Sequence, residues 1–140
     1  MAISVTNPGF SVAGVTARAQ CRHLAMIVTV SGTVDDRNLG PLTEHVKRFA
    51  LPEKPLVVDL TGVEGFATQS VWLLHALAEA CRNADIDWCI VPSPAVSRVL
   101  AGLGDRADFP VAGSVHEALH YFADVNSERK RILPLLTKTA

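Results

Sequence analysis

Apolar residues along this chain recur at two spacings that replace one another from segment to segment. Residues 55–81 contain both. Leu56-Val57-Val58-Asp59-Leu60 is a short, β-branched run broken by one acid and bounded by Pro55 and Gly62. Such a run reads as a strand buried on both faces, as in a parallel sheet. Thr61-Gly62-Val63-Glu64-Gly65-Phe66 reads as a turn, and from Thr68 the spacing becomes helical. Val71, Leu74, Leu77, Ala78 and Cys81 share one stripe, while Thr68, Trp72, His75, Glu79 and Arg82 share the other side. A core has no need of Trp72 there, which makes this strand-to-helix turn the candidate site.

The same alternation organises the rest. Residues 10–20 and 24–31 are β-like and are expected to pair through a turn around 20–23, after which Ser31-Gly32-Thr33-Val34-Asp35 leaves the sheet. Asn38 is the expected N-cap of a helix with Pro41 in its first turn and Leu39, Leu42, Val46 and Phe49 at helical spacing; Pro52 and Pro55 end it. Asn83 and Asp85 close the central helix, and 86–91 is a second buried strand. Ser93-Pro94 is a cap followed by a first-turn proline for a helix carrying Val96, Val99, Leu100 and Leu103, stopped by Gly102 and Gly104. Phe109-Pro110-Val111 reads as a last short strand kept to an edge by its proline. Ser114-Val115-His116-Glu117 reads as a capping box opening a final helix. The order β-β-α-β-α-β-α-β-α implies an α/β fold: a mostly parallel sheet of four to five strands, an antiparallel N-terminal edge and about four helices.

Composition narrows the class. At 140 residues, 49% hydrophobic and 19% charged, the chain forms one globular domain, expected over 8–123, with a tail over 124–140. The net charge of −1 does not point to nucleic acid or to a membrane surface. The longest apolar runs are too short to span a bilayer, and the first residues lack the basic and apolar regions of a secretory signal. Cys21, Cys81 and Cys89 are an odd, scattered set with no CxxC pair, read as buried thiols in a reducing compartment and not as a disulfide frame or zinc site. A cytoplasmic protein is expected.

Candidate chemistry is sparse. His116-Glu117-Ala118-Leu119-His120 matches the HExxH pattern, in which two histidines one turn apart hold zinc and the glutamate acts as base. Against it, Glu117 already serves the capping box, and only Asp124 and Glu128 remain downstream as a third ligand, too near for a separate element. A zinc-dependent hydrolase through these residues is the alternative from a different class. Asp35 and Asp59 form a carboxylate pair at expected strand ends with no nucleophile beside them. No Gly-x4-Gly-Lys-Ser/Thr occurs, and Arg129-Lys130-Arg131 reads as a solvated charge run. Neither a cofactor nor a metal is expected.

Four landmarks, in this order, resemble the STAS family of anti-sigma factor antagonists and sulfate-transporter domains. They are Gly32-Thr33-Val34-Asp35 after an early strand; Leu56-Val57-Val58-Asp59-Leu60 with Val63 and Phe66; Ala67-Thr68-Gln69-Ser70-Val71 at the family's regulatory turn; and Ser93-Pro94-Ala95-Val96-Ser97-Arg98-Val99-Leu100 with Leu103-Gly104. At the turn the family's usual acid is replaced by Ala67 and its glycine by Ser70, whereas the hydroxyl of Thr68 and the apolar Val71 match. The resemblance implies a STAS-like fold and a non-catalytic protein that binds an anti-sigma factor of the kinase type, with Thr68 as the phosphorylation site. It places partner contacts at Asp35, Ala67, Thr68, Gln69, Ser70 and Trp72. The alternative it implies is an accessory subunit docking on the ATPase subunit of a membrane transporter.

Overall fold

The computed structural model describes residues 9–104 and 108–124. Five strands join in chain order into one sheet: β1 (Phe10–Val12), β2 (Val15–Cys21), β3 (Met26–Val34), β4 (Leu56–Phe66) and β5 (Trp88–Val91). β1, β2 and β3 pair antiparallel, and β3–β4 and β4–β5 pair parallel. The parallel crossovers are α1 (Leu39–Lys47) and α2 (Val71–Ala84); α3 (Pro94–Leu103) follows β5, and α4 covers 115–124. This is the expected mixed sheet with four helices. Among the described residues no helix is long and apolar enough to cross a membrane.

Alternation along the strands sorts the core into two layers. Val15, Ala17, Val28, Val30, Leu56, Val58, Leu60 and Ile90 face α1, α2 and α3, meeting Leu42, Val46, Leu73, Leu74, Leu77 and Val96. The odd positions Ile27, Val57, Cys89 and Val91 face α4 and meet Ala118 and Phe122. β4 is therefore covered on both sides, as its unbroken apolar run implies. α2 also packs against α1, so it buries Leu73 beside the expected stripe.

Several expectations need correction. The stretch 10–20 is two strands, folded back at Ala13 and Gly14, both with positive φ. β3 does not leave the sheet at Ser31 but runs to Val34, because β4 runs with it through the expected turn to Phe66. Two register shifts make room for this: β4 carries one extra residue between Asp59 and Gly62 and another between Val63 and Gly65. A Cβ at Gly62 would lie 2.5 Å from the Ser31 hydroxyl, so the glycine permits close strand approach and does not end the strand. Asp59 lies at the first shift, where its carboxylate accepts from the Thr61 N–H at 3.0 Å and the Thr61 hydroxyl at 2.7 Å; it is not at a strand end.

Asn38 occupies the N-cap position of α1 without capping it. Its buried amide instead donates to the Ala13 and Thr33 carbonyls at 3.0 and 2.8 Å and accepts from the Asp35 N–H at 3.0 Å, joining the first hairpin to the end of β3. The expected strand at 109–111 is a single bridge, Ile90 to Val111. Ser93 caps α3 as expected, accepting from the Val96 N–H at 3.2 Å. At α4, Ser114 accepts from the Glu117 N–H at 3.0 Å. The Glu117 carboxylate turns back towards Gly113, and the reciprocal arm of the capping box is not made among the described residues. The tail beyond 124, with Arg129-Lys130-Arg131, lies outside the described residues.

Candidate partner-binding site

β3 and β4 end side by side, Val34 opposite Phe66, and the chain turns there into α2. Three short bonds fix the turn. The Val34 carbonyl accepts from the Ala67 N–H at 3.1 Å and from the Ser70 hydroxyl at 3.0 Å, and the Ala67 carbonyl accepts from the Ser70 N–H at 2.8 Å. Thr68–Ser70 forms one 3-10 turn that runs into α2 at Val71. Thr68 therefore begins the helical segment, as expected. It is exposed, and its hydroxyl joins no hydrogen bond among the described residues.

The six residues expected to contact a partner divide by position. Thr68, Gln69 and Trp72 are exposed and Ala67 is half-buried. Ser70 is fully buried with its hydroxyl committed to Val34, so it supports the turn from beneath and presents no surface. Asp35 is half-buried and turned to Arg37, whose guanidinium reaches its two oxygens at 3.2 and 3.0 Å and whose N–H adds a third bond at 3.0 Å. The Arg37 guanidinium holds the Asp35 carboxyl below its ordinary range. The acid that meets the turn is its neighbour Asp36, bonded to the Gln69 side-chain amide. In sequence Asp36 is the second of two adjacent acids, and only the parallel end of β3 beside β4 selects it.

Trp72 leaves 66% of its surface exposed, one turn after Thr68. With Val71, His75, Glu79 and Arg82 it lines an open groove of about 490 Å3 along the outer face of α2. Its ring meets His75 edge-on at 6.1 Å; His75 meets Phe109 at 5.0 Å, and Phe109 meets Trp88 of β5 at 6.2 Å. On the other side of the turn, Thr68 borders a hollow of about 380 Å3 with Arg98, Val99, Gly102 and Leu103 of α3 and its end. An acid, Asp36, and a cation, Arg98, thus flank the Thr68 region. Arg98 lies 30 residues away in sequence, on the polar side of another helix, and carried no signal of its own.

His116 and His120 are both exposed, and His120 faces Asp124 at 3.7 Å. Among the described residues no group of three or more His, Cys, Asp or Glu is placed to share a metal ion.

The family model of the STAS domain matches residues 16–118. The chain is 40% identical over 139 residues to "Osmosensory protein A" of Mycobacterium tuberculosis, an alignment covering 96% of this chain and 88% of that protein. Among solved structures, the fold is similar to an anti-sigma factor antagonist from Mycobacterium paratuberculosis, with a TM-score of 0.67 at 23% identity over 78% of this chain and 94% of that one. It is also similar to the anti-sigma factor antagonist SpoIIAA in its unphosphorylated form, with a TM-score of 0.63 at 11% identity over 77% of this chain and 96% of that one.

Proposed function

The chain belongs to the STAS domain family, and from that premise we propose that it is a non-catalytic regulatory domain that works as an anti-sigma factor antagonist. Its partner is an anti-sigma factor of the kinase type, bound through Thr68, Gln69, Ala67 and the ring of Trp72. The observation that carries this reading is Trp72 itself, a large apolar ring left in water one turn from an exposed hydroxyl. Buried aromatic anchors supply much of the binding energy of protein interfaces. The pinned turn adds to this, because a contact surface already ordered loses less entropy on binding.

Phosphorylation of Thr68 would switch the contact. A phosphate there adds up to two negative charges, which the free domain accommodates in water beside Arg98. A partner closing over it would have to bury a charge of up to two units that the single cation Arg98 does not fully balance, with Asp36 bonded to the neighbouring Gln69, and burying uncompensated charge is costly. The description of one similar structure as an unphosphorylated form supports phosphorylation as the kind of switch. The name of the relative from Mycobacterium tuberculosis points to the response to osmotic conditions as the regulated process. The protein acts in the cytoplasm, where sigma factors work.

Ala67 and Ser70, which replace the acid and glycine usual at this turn, favour one second reading: an accessory subunit docking on a transporter ATPase. Co-purification from native cytosol at low and high osmolarity separates the two. A sigma-regulating kinase enriched with wild-type protein and lost with Trp72→Ala is expected. Recovery of a transporter ATPase in its place would move the second reading ahead.

A further inference from the structure

At the end of the sheet opposite the Thr68 turn, β2 finishes at Cys21 and the loop before β4 carries Lys54. The Lys54 ammonium donates to the Cys21 sulfur at 3.2 Å and to the Arg22 carbonyl at 2.6 Å. Both side chains border a surface hollow of about 310 Å3 with Met26, Leu51, Pro52 and Glu53, wide enough to admit a small oxidant. The other two thiols are buried among apolar residues, which pushes Cys81 up to about 12 and Cys89 up to about 11 and keeps both in the unreactive thiol form. Cys21, by contrast, is only half-buried where a buried thiol is expected, and the Lys54 nitrogen is already held against it.

We propose that Cys21 and Lys54 form a peroxide-responsive modification site, in which oxidation of the thiol is followed by an S–N bond between the two side chains. In the first step the sulfur attacks one oxygen of hydrogen peroxide. The O–O bond breaks, a sulfenic acid forms and one water leaves. In the second step the Lys54 amine, having released a proton to solvent, attacks the sulfur; the S–O bond breaks and the hydroxyl departs as a second water. One peroxide is reduced to two waters, and the protein loses two hydrogens. Sulfenic acids condense with nitrogen in this manner to give sulfenamides. The Arg22 carbonyl holds the amine in place, so internal capture competes with external thiols at a high effective concentration.

The bond would tie the β2–β3 turn to the α1–β4 loop across 33 residues of sequence. It would lie where β3 and β4 begin, Met26 opposite Leu56, whereas Thr68 follows the end of β4. The contact surface would therefore remain intact. The test is peptide mapping of the full-length protein after treatment with hydrogen peroxide. The expected product links the Cys21 and Lys54 peptides, is lighter by two hydrogens and is reversed by dithiothreitol. Lys54→Arg keeps the cation but should give no linked pair, leaving a Cys21 sulfenic acid that dimedone labels. Equal dimedone labelling of wild type and Lys54→Arg without a linked pair, or a two-hydrogen loss traced to a disulfide, would overturn the proposal.

Discussion

Trp72 and His45 are two aromatic residues in opposite situations. Trp72 is 66% exposed on α2, so its truncation removes little packing. Trp72→Ala is expected to change folding stability by less than about 1 kcal/mol in urea titrations, as surface substitutions do. A loss of about 3–5 kcal/mol, the scale of a buried aromatic, would show a core residue instead. His45 is packed: its ring stacks on Phe10 of β1 at 4.4 Å and meets Phe49 edge-on at 5.4 Å, and its buried Nε2 has no hydrogen-bond partner among the described residues. Burial, and then Arg48, hold its imidazole below the ordinary value of 6.5. As pH falls through that value, the unfolded chain takes up a proton that the folded chain resists, so stability present above it is lost below it. His45→Phe keeps the stack and removes the titrating nitrogen. Urea midpoints at neutral pH and about one unit below the histidine range should fall for wild type and fall less for the variant. Equal falls would show that His45 does not carry this acid sensitivity.

At the scale of elements, the sheet is held in register by contacts that local patterning does not reveal. The alternation of β4, β5, α2 and α3 was legible because each presents a clean apolar run or stripe and, for α3, a serine cap. The second half of β4 was not. Thr61, Gly62 and Gly65 resemble a turn locally, and only pairing with β3 across two register shifts makes them strand. Asn38 departs from its expected cap role for the same reason, since two of its three side-chain bonding partners, Ala13 and Thr33, belong to other segments. The turn residues Thr68 and Trp72 could be read from one segment, whereas Asp36 and Arg98 reach the site only through tertiary packing. The first hairpin offers a direct check. Gly32 has φ +104°, and a Cβ there would lie 2.2 Å from the Gly14 carbonyl oxygen. Gly32→Ala should therefore cost about 2 kcal/mol or more, combining an unfavourable backbone region with a backbone clash. A variant as stable as wild type would show that β2 and β3 separate easily at this crossing.

For the whole molecule, α1, α2 and α3 cover one face of the sheet, α4 covers part of the other, and the joined ends of β3 and β4 carry the turn outward. On the proposed reading, that arrangement divides the described residues into a packed support and a contact surface at the Thr68 turn. The support should therefore be indifferent to charge at Thr68, and the partner should not. The decisive measurement is calorimetric titration of the co-purified anti-sigma kinase with wild-type protein and with Thr68→Glu, each shown by circular dichroism and thermal unfolding to be equally folded. Glutamate carries about half the charge of a phosphate, so the expected result is a folded variant whose affinity falls at least about tenfold, equivalent to about 1.4 kcal/mol. Equal affinity of the two proteins for that kinase would contradict the assignment of Thr68 to the contact surface.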